Sequence, residues 1–222
     1  MPTYLYGLIL SDSADRVPRD VRGIGAGVVR VLTGRVLSAV VGTVDAAPER
    51  ATLELVTTHD AVLQAVVNAG ITTAAARFRQ TFADDDDARR HVEEHGERIA
   101  RVLQEYAGCV EMRVLLRDTD PLAAGVAVPS AARISGPGQA YLEQVRAQHA
   151  RVTHLALAPM LGPMIQAERV SMLPDDRGVV FAHLVKRDRV PGYRDAIQGH
   201  PALAHATVVG PLALYSFAEP EP

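Results

Sequence analysis

The sequence predicts an α+β protein of two α/β-sandwich-like domains, the second ferredoxin-like with the element order βαββαβ. Three observations carry this. The chain has 222 residues, and roughly 100–200 residues per domain makes two domains the better fit. Aromatic and β-branched runs alternate with segments of helical period. From Val110 onward the elements follow the split βαβ order. The boundary falls near Ala107-Gly108, giving an N-terminal α+β domain over residues 1–107 and a C-terminal ferredoxin-like domain over 108–222.

The first strand is Thr3–Leu10, aromatic and branched, broken by Ser11-Asp12-Ser13. Val28–Leu32 and Val36–Val41 flank Thr33-Gly34-Arg35 and read as a β-hairpin. A helix is expected from about Thr58, as its cap, to Ala69, with Val62, Ala65, Val66 and Ala69 on one face and Gly70 as its stop. Thr72–Phe78 is a short strand. One long helix is expected over Asp85–Tyr106, with Val92, Ile99, Val102, Leu103 and Tyr106 sharing a face and Gly108 ending it.

The second series opens with a strand over Val110–Leu116. Asp118–Gln139 has prolines and small residues without periodicity and reads as a loop. A helix from about Gly138 carries Tyr141, Leu142, Val145, Val152 and Leu155, and Pro159 and Pro163 end or kink it. Val170–Leu173 and Val179–Val185 form a second hairpin around Asp175-Asp176-Arg177-Gly178. Gly192–Gln198 is a short helix. Ala206–Val209 and Leu212–Phe217 make a final strand that Gly210-Pro211 can interrupt, and the tail Glu219–Pro222 is expected to be disordered.

Composition narrows the function. Apolar residues are 48% and charged residues 22% of the chain, which excludes a disordered protein. No apolar run reaches the ~18 residues of a membrane span. The net charge of −3 gives no electrostatic case for nucleic acid or an anionic membrane. The start Met1-Pro2-Thr3-Tyr4 lacks a basic n-region, so the cytosol is the expected compartment. The single cysteine, Cys109, allows neither an internal disulfide nor a cysteine metal cluster, and a small buried hydrophobe is its expected role.

His91-Val92-Glu93-Glu94-His95 has the H-x-x-E-H spacing of inverted zinc peptidases, which puts two histidines on one helix face. A zinc-dependent hydrolase using His91, Glu94 and His95 is therefore one reading, but it needs a third protein ligand. The plainer reading is a solvated charged face. Asp84-Asp85-Asp86-Asp87 lacks the alternation of a calcium loop and fits helix capping. Gly23-Ile24-Gly25-Ala26-Gly27 precedes a strand rather than a helix, and Val28 stands where the phosphate loop requires glycine. Gly136-Pro137-Gly138 opens a helix and reads as a turn. The apolar run Leu155–Ile165, rich in Met and Pro, is core or a pliant surface for a hydrophobic partner. No nucleophile, base and orienting group come together, so no enzyme activity and no cofactor are expected.

Several segments, in order and spanning nearly the whole chain, resemble the gas vesicle protein GvpF/GvpL family. They are Tyr4-Leu5-Tyr6-Gly7; Thr58-His59-Asp60-Ala61-Val62-Leu63, similar to a histidine-acidic helix opening; and Ala76-Arg77-Phe78-Arg79-Gln80-Thr81-Phe82, similar to R-F-G-T-V-F. Val110-Glu111-Met112-Arg113-Val114 is similar to E-W-G-V-K, Gly136–Leu142 to S-G-R-A-Y-L, and His183–Asp188 to L-V-x-R-D. Thr207–Phe217 is similar to T-G-P-W-P-P-Y-S-F. The chain departs from the pattern at Arg79, where the motif has glycine, and at Met112 and Leu212, where tryptophan is usual. It is thus identified as a divergent member.

The resemblance implies two α+β domains, no enzyme activity and no cofactor. It implies a cytosolic accessory or minor structural protein of gas vesicle assembly. Such a protein engages the hydrophobic main shell protein GvpA, preventing its aggregation or nucleating the shell, and other accessory proteins are possible partners. Arg77, Phe78 and Phe82 are the expected interface residues, against the plainer reading that Phe78 and Phe82 fill a core. A small-ligand regulatory module is the remaining alternative.

Overall fold

The computed structural model describes residues 1–117, 160–173, 178–203 and 206–218. The expected loop over 118–138, the helix from about Gly138, the Gly136–Leu142 motif, the turn at 175–177 and the tail 219–222 lie outside them. The chain forms two compact units, residues 1–111 together with 211–222, and residues 112–210. Mixed helices and strands around two sheets give the two-unit α+β architecture that the residue pattern predicts.

The first unit is built on β1 (Thr3–Leu10), β2 (Arg30–Leu32), β3 (Leu37–Thr43), β4 (Thr73–Ala75) and β5 (Thr81–Phe82). The sheet order is β2-β3-β1-β4, and β5 also pairs with β1. Strand β1 is the centre, and every residue but Leu10 is buried. Such a strand needs apolar side chains on both faces, which is why Thr3–Leu10 reads as a near-continuous apolar run. Its antiparallel register with β3 shifts between Leu5 and Gly7, so Tyr6 is an extra residue on β1, a β-bulge. The bulge resets the alternation: Leu5, Leu8 and Leu10 share one apolar cluster with Leu37, Ala39 and Val41.

Helix α1 (Leu53–Asn68) begins earlier than expected, because Thr52, not Thr58, is the cap: Thr52 Oγ1 accepts from the Leu55 amide at 3.3 Å. Thr57 and Thr58 instead bond back to the carbonyls of Leu53 and Glu54, the mid-helix habit of threonine. The buried face is His59, Val62, Leu63, Val66 and Val67, one 3.6-period stripe.

The long helix expected over Asp85–Tyr106 is two, α2 (Asp85–His95) and α3 (Glu97–Glu105). The break is at Gly96. A Cβ there would lie 2.7 Å from Leu37 Cδ1 and 2.3 Å from the Val92 carbonyl, so the backbone itself lies against β3. Asp84 caps α2 through the Asp87 amide at 2.9 Å, while Arg89 and Arg90 pair with Asp86 and Asp87. Asp85 accepts from Thr3 Oγ1 at 2.6 Å and pairs with Arg30. Burial pushes its carboxyl up, but these bonds and the Arg30 and Arg89 charges outweigh that and leave it below the usual carboxylate range. The acidic run is therefore a cap and a set of ion pairs.

The glycine run closes over Tyr6. The Ile24 amide donates to Tyr6 Oη at 2.7 Å, and a Cβ on Gly23 would fall 2.1 Å from that oxygen. This backbone must approach a buried tyrosine, and only glycine lets it.

Strand β6 (Cys109–Arg117) starts in the first unit and continues as a strand of the second sheet with β7 (Ile165–Met172), β8 (Gly178–Lys186) and β9 (Thr207–Leu212). The order is β7-β8-β6-β9. Both strands of the second hairpin are longer than expected, and their antiparallel pairing runs from Ile165↔Val185 to Met172↔Val179. Helix α4 (Val190–Gln198) places Pro191 in its first turn and buries Tyr193 and Ile197. Leu161 is buried, and Gly162–Met164 form a single 3-10 turn. The expected strand over Leu212–Phe217 is corrected: after β9 the chain makes an isolated bridge at Leu214 and a short helix α5 (Tyr215–Ala218). Its alternation looked strand-like, but local hydrogen bonding at Tyr215–Ala213 turns the backbone.

Candidate functional site

The segments singled out in the first unit meet at one place. Tyr4 and Tyr6 leave β1, with ring centroids 4.9 Å apart. His59 comes from α1 and packs against Tyr4, Tyr6 and Phe78 at centroid distances of 5.7, 5.6 and 5.7 Å. Tyr4 Oη lies 3.0 Å from His59 Nδ1 and accepts from the Arg79 amide at 3.1 Å. Tyr215 of α5 donates to Asp60 Oδ1 at 2.5 Å. The next residue is bound through a buried acid: Glu111 accepts from the Ser216 amide at 2.7 Å and from Ser216 Oγ at 2.8 Å. Leu214 exchanges backbone bonds with β4, accepting from Ala75 and donating to Thr73. Residues 213–218 are thus fastened along the β4 edge by backbone, carboxylate and phenol.

Between α1, the β4 segment and α5 lies a groove of about 450 Å³ lined by Val56, His59, Asp60, Ala75, Ala76, Arg77, Phe78 and Tyr215. Its floor is apolar and aromatic, and its rim carries one carboxylate and one guanidinium. Burial holds Tyr4, Tyr6 and His59 away from their ordinary titration. Burial lowers the His59 pKa to about 4, with the Asp60 charge pulling weakly the other way. Burial pushes the Tyr4 phenol up to about 12, offset in part by the Arg79 amide. Tyr6 is raised by burial as well. At neutral pH the Tyr4, Tyr6 and His59 side chains are uncharged.

Of the three expected interface residues, Arg77 and Phe78 line the groove, Arg77 exposed and Phe78 half-buried. Phe82 lies elsewhere, packed on the Leu5–Leu8–Val92 cluster with its ring 5.0 Å from His91. Arg79 has φ 71°, the left-handed region where the resembled motif has glycine. It holds its place with a 2.7 Å bond from Nε to the Pro48 carbonyl. In the sequence His59, Asp60 and Tyr215 are only parts of separate strings; their convergence comes from sequence separations of 55 and 155 residues.

The H-x-x-E-H spacing does not assemble a metal centre among the described residues. The His91 and His95 rings stack with centroids 4.7 Å apart, His95 Nδ1 contacts the His91 carbonyl at 3.1 Å, and His91 Nε2 meets Gln80 at 3.3 Å. No group of three His, Cys, Asp or Glu side chains that could hold a metal is found among the described residues. Cys109 is buried, as expected.

The second unit has its own buried polar group. His183 on β8 contacts Tyr193 Oη at 2.6 Å through Nδ1 and Glu168 Oε2 at 2.9 Å through Nε2. Burial, with the Glu168 charge behind it, raises the Tyr193 phenol. This triad ties β7, β8 and α4 together.

A family described as gas vesicle synthesis protein GvpL/GvpF matches residues 2–219. Among solved structures, the chain is similar to the gas vesicle protein GvpF from Microcystis aeruginosa at 16% identity, with a TM-score of 0.72 over 98% of this chain and 99% of that one. It is similar to GvpF from Anabaena sp. PCC7120 at 16% identity, with a TM-score of 0.73 over 100% of this chain and 97% of that one. No curated protein sequence matches the chain. Among the described residues, no helix is long and apolar enough to cross a membrane.

Proposed function

The chain belongs to the gas vesicle GvpL/GvpF family, and from that premise we propose that it is a non-enzymatic accessory or minor structural protein of gas vesicle assembly. It binds the main shell protein GvpA in the cytoplasm, preventing aggregation or nucleating the shell, and other accessory proteins share the assembly. A subunit that must form an apolar shell exposes surface that aggregates unless covered. An assembly factor needs a complementary surface and a rigid frame rather than a reaction centre.

The observation that carries this reading is the groove of the first unit. Tyr4, His59-Asp60, Arg77-Phe78 and Tyr215 come from four separate family-like segments and meet around it. Arg77 and Phe78 are the proposed contact residues there. Phe82 contributes by fixing the β5 end of the same segment against α2. Apolar walls with a few placed polar groups are the usual make-up of a recognition site.

Co-expression with the main shell protein tests the proposal. Shell protein should move into the soluble fraction and copurify with the tagged chain. Shell protein that stays insoluble and fails to copurify would overturn it.

A further inference from the structure

His59 Nε2 is buried and has no hydrogen-bond partner among the described residues, although the residue is only 2% exposed. The proton positions follow from its neighbour. Tyr4 Oη accepts from the Arg79 amide at 3.1 Å, and its buried hydrogen finds its acceptor in His59 Nδ1, 3.0 Å away, since the opposite direction would leave the phenol hydrogen unpaired. The neutral ring then carries its proton on Nε2. His59 lines the groove, and its Nε2–H lies sealed from solvent with no acceptor among the described residues, an arrangement native interiors rarely keep without a use.

The surroundings select the acceptor. Val56, Ala76 and Phe78 make the walls apolar, and the Asp60 carboxylate stands beside the ring. A carboxylate ligand would meet that like charge and lose its water with no cation on His59 to balance it, and the Arg77 guanidinium that also lines the groove is already engaged. A peptide carbonyl suffers neither cost. We propose that the groove binds an apolar, uncharged polypeptide segment, held by a carbonyl oxygen that accepts from His59 Nε2. Phe78 packs T-shaped against the His59 ring at 5.7 Å and shifts to let the incoming carbonyl reach the donor while keeping contact with the segment, a side-chain change common on binding. The proposal rests on the shell-protein reading only for the identity of the partner.

The test titrates the full chain with N-acetyl-Val-Ala-amide and, separately, with its free-acid counterpart N-acetyl-Val-Ala. The His59 ring is followed by nitrogen–proton correlation. The amide should shift the Nε2–H signal saturably, and the acid should bind at least about tenfold more weakly, equivalent to about 1.4 kcal/mol. In Asp60→Asn, which keeps an acceptor for Tyr215, the gap between the probes should narrow. His59→Phe should lose the amide's effect on the Val56 methyl signals. An Nε2–H signal that no probe moves, as for a buried water alone on this atom, overturns the proposal; so do equal affinities for both probes in the wild-type chain. A shell-protein copurification without any probe shift would sink the groove assignment and keep the assembly reading. A probe shift with failed copurification would do the reverse.

Discussion

His59 and His183 are both buried, one in each unit, at 2% and 0% exposure, and both contact a tyrosine hydroxyl through Nδ1. They part at the other nitrogen. His183 Nε2 meets Glu168 at 2.9 Å; His59 Nε2 has no partner among the described residues. A buried polar side chain satisfied at every atom is explained by the fold it secures. One satisfied at half its atoms is not, and its desolvated donor is a standing cost of about 1–3 kcal/mol. The first unit carries that cost at the wall of its groove, whereas the second spends its buried histidine on joining two strands and a helix.

Substitution should separate the two. His183→Phe strands the buried Tyr193 hydroxyl and uncouples Glu168, so a loss of about 3 kcal/mol is expected in denaturant unfolding. A loss under about 1 kcal/mol would remove the structural role assigned to the triad.

Acid should act on the other histidine. The His59 pKa is held at about 4 against an ordinary 6.5, so the folded chain favours the neutral ring. Between those values the unfolded chain binds a proton that the folded chain does not. Stability should therefore be level above about 6.5 and fall as pH drops toward about 4, by about 3 kcal/mol in all from this group. His59→Phe should flatten that stretch of the curve; parallel curves for the two proteins would assign the acid response elsewhere.

Arg79→Gly sharpens the picture of the segment above the groove. A left-handed non-glycine residue costs about 1–2 kcal/mol, and glycine's extra unfolded-state freedom returns about 0.5–1 kcal/mol of that. The variant should gain about 0.5–1 kcal/mol, read as a raised thermal midpoint, and a lowered midpoint would show that the Pro48 bond outweighs the strain. The smallest change is expected for His59→Phe at neutral pH, within about 1 kcal/mol, because the lost Tyr4 bond is offset by removal of the orphan donor. A loss as large as that of His183→Phe would erase the contrast.

Much of this architecture was legible in the residues. The β1 run, both hairpins, β6 and Val62 and Val66 of the buried α1 face follow from period and turn chemistry, whereas Ala65 and Ala69 are only half-buried and His59, Leu63 and Val67 complete the face instead. The misreadings have local causes. Thr58 resembles a cap as well as Thr52 does, and only the backbone entry angle decides between them. Gly96 inside a helical pattern gives no sign of the Leu37 side chain that requires it. Leu212–Phe217 alternates like a strand, yet its end is fixed by Glu111, 105 residues away. The site was legible only as separate strings. Tyr4, His59 and Tyr215 could each be picked out, but the bulge at Tyr6 and the return of residues 211–218 to the first unit, which bring them together, arise from pairing that no local pattern encodes.

On the proposed reading the shell protein docks in the first unit's groove, and two surface variants test this. Copurification of the shell protein should be compared between Phe78→Ser, in the groove, and Val170→Ser, an exposed apolar position on β7 of the second unit. Phe78→Ser should cut the retained shell protein at least about tenfold while Val170→Ser leaves it at the wild-type level. Full retention by Phe78→Ser, or a loss confined to Val170→Ser, would contradict it.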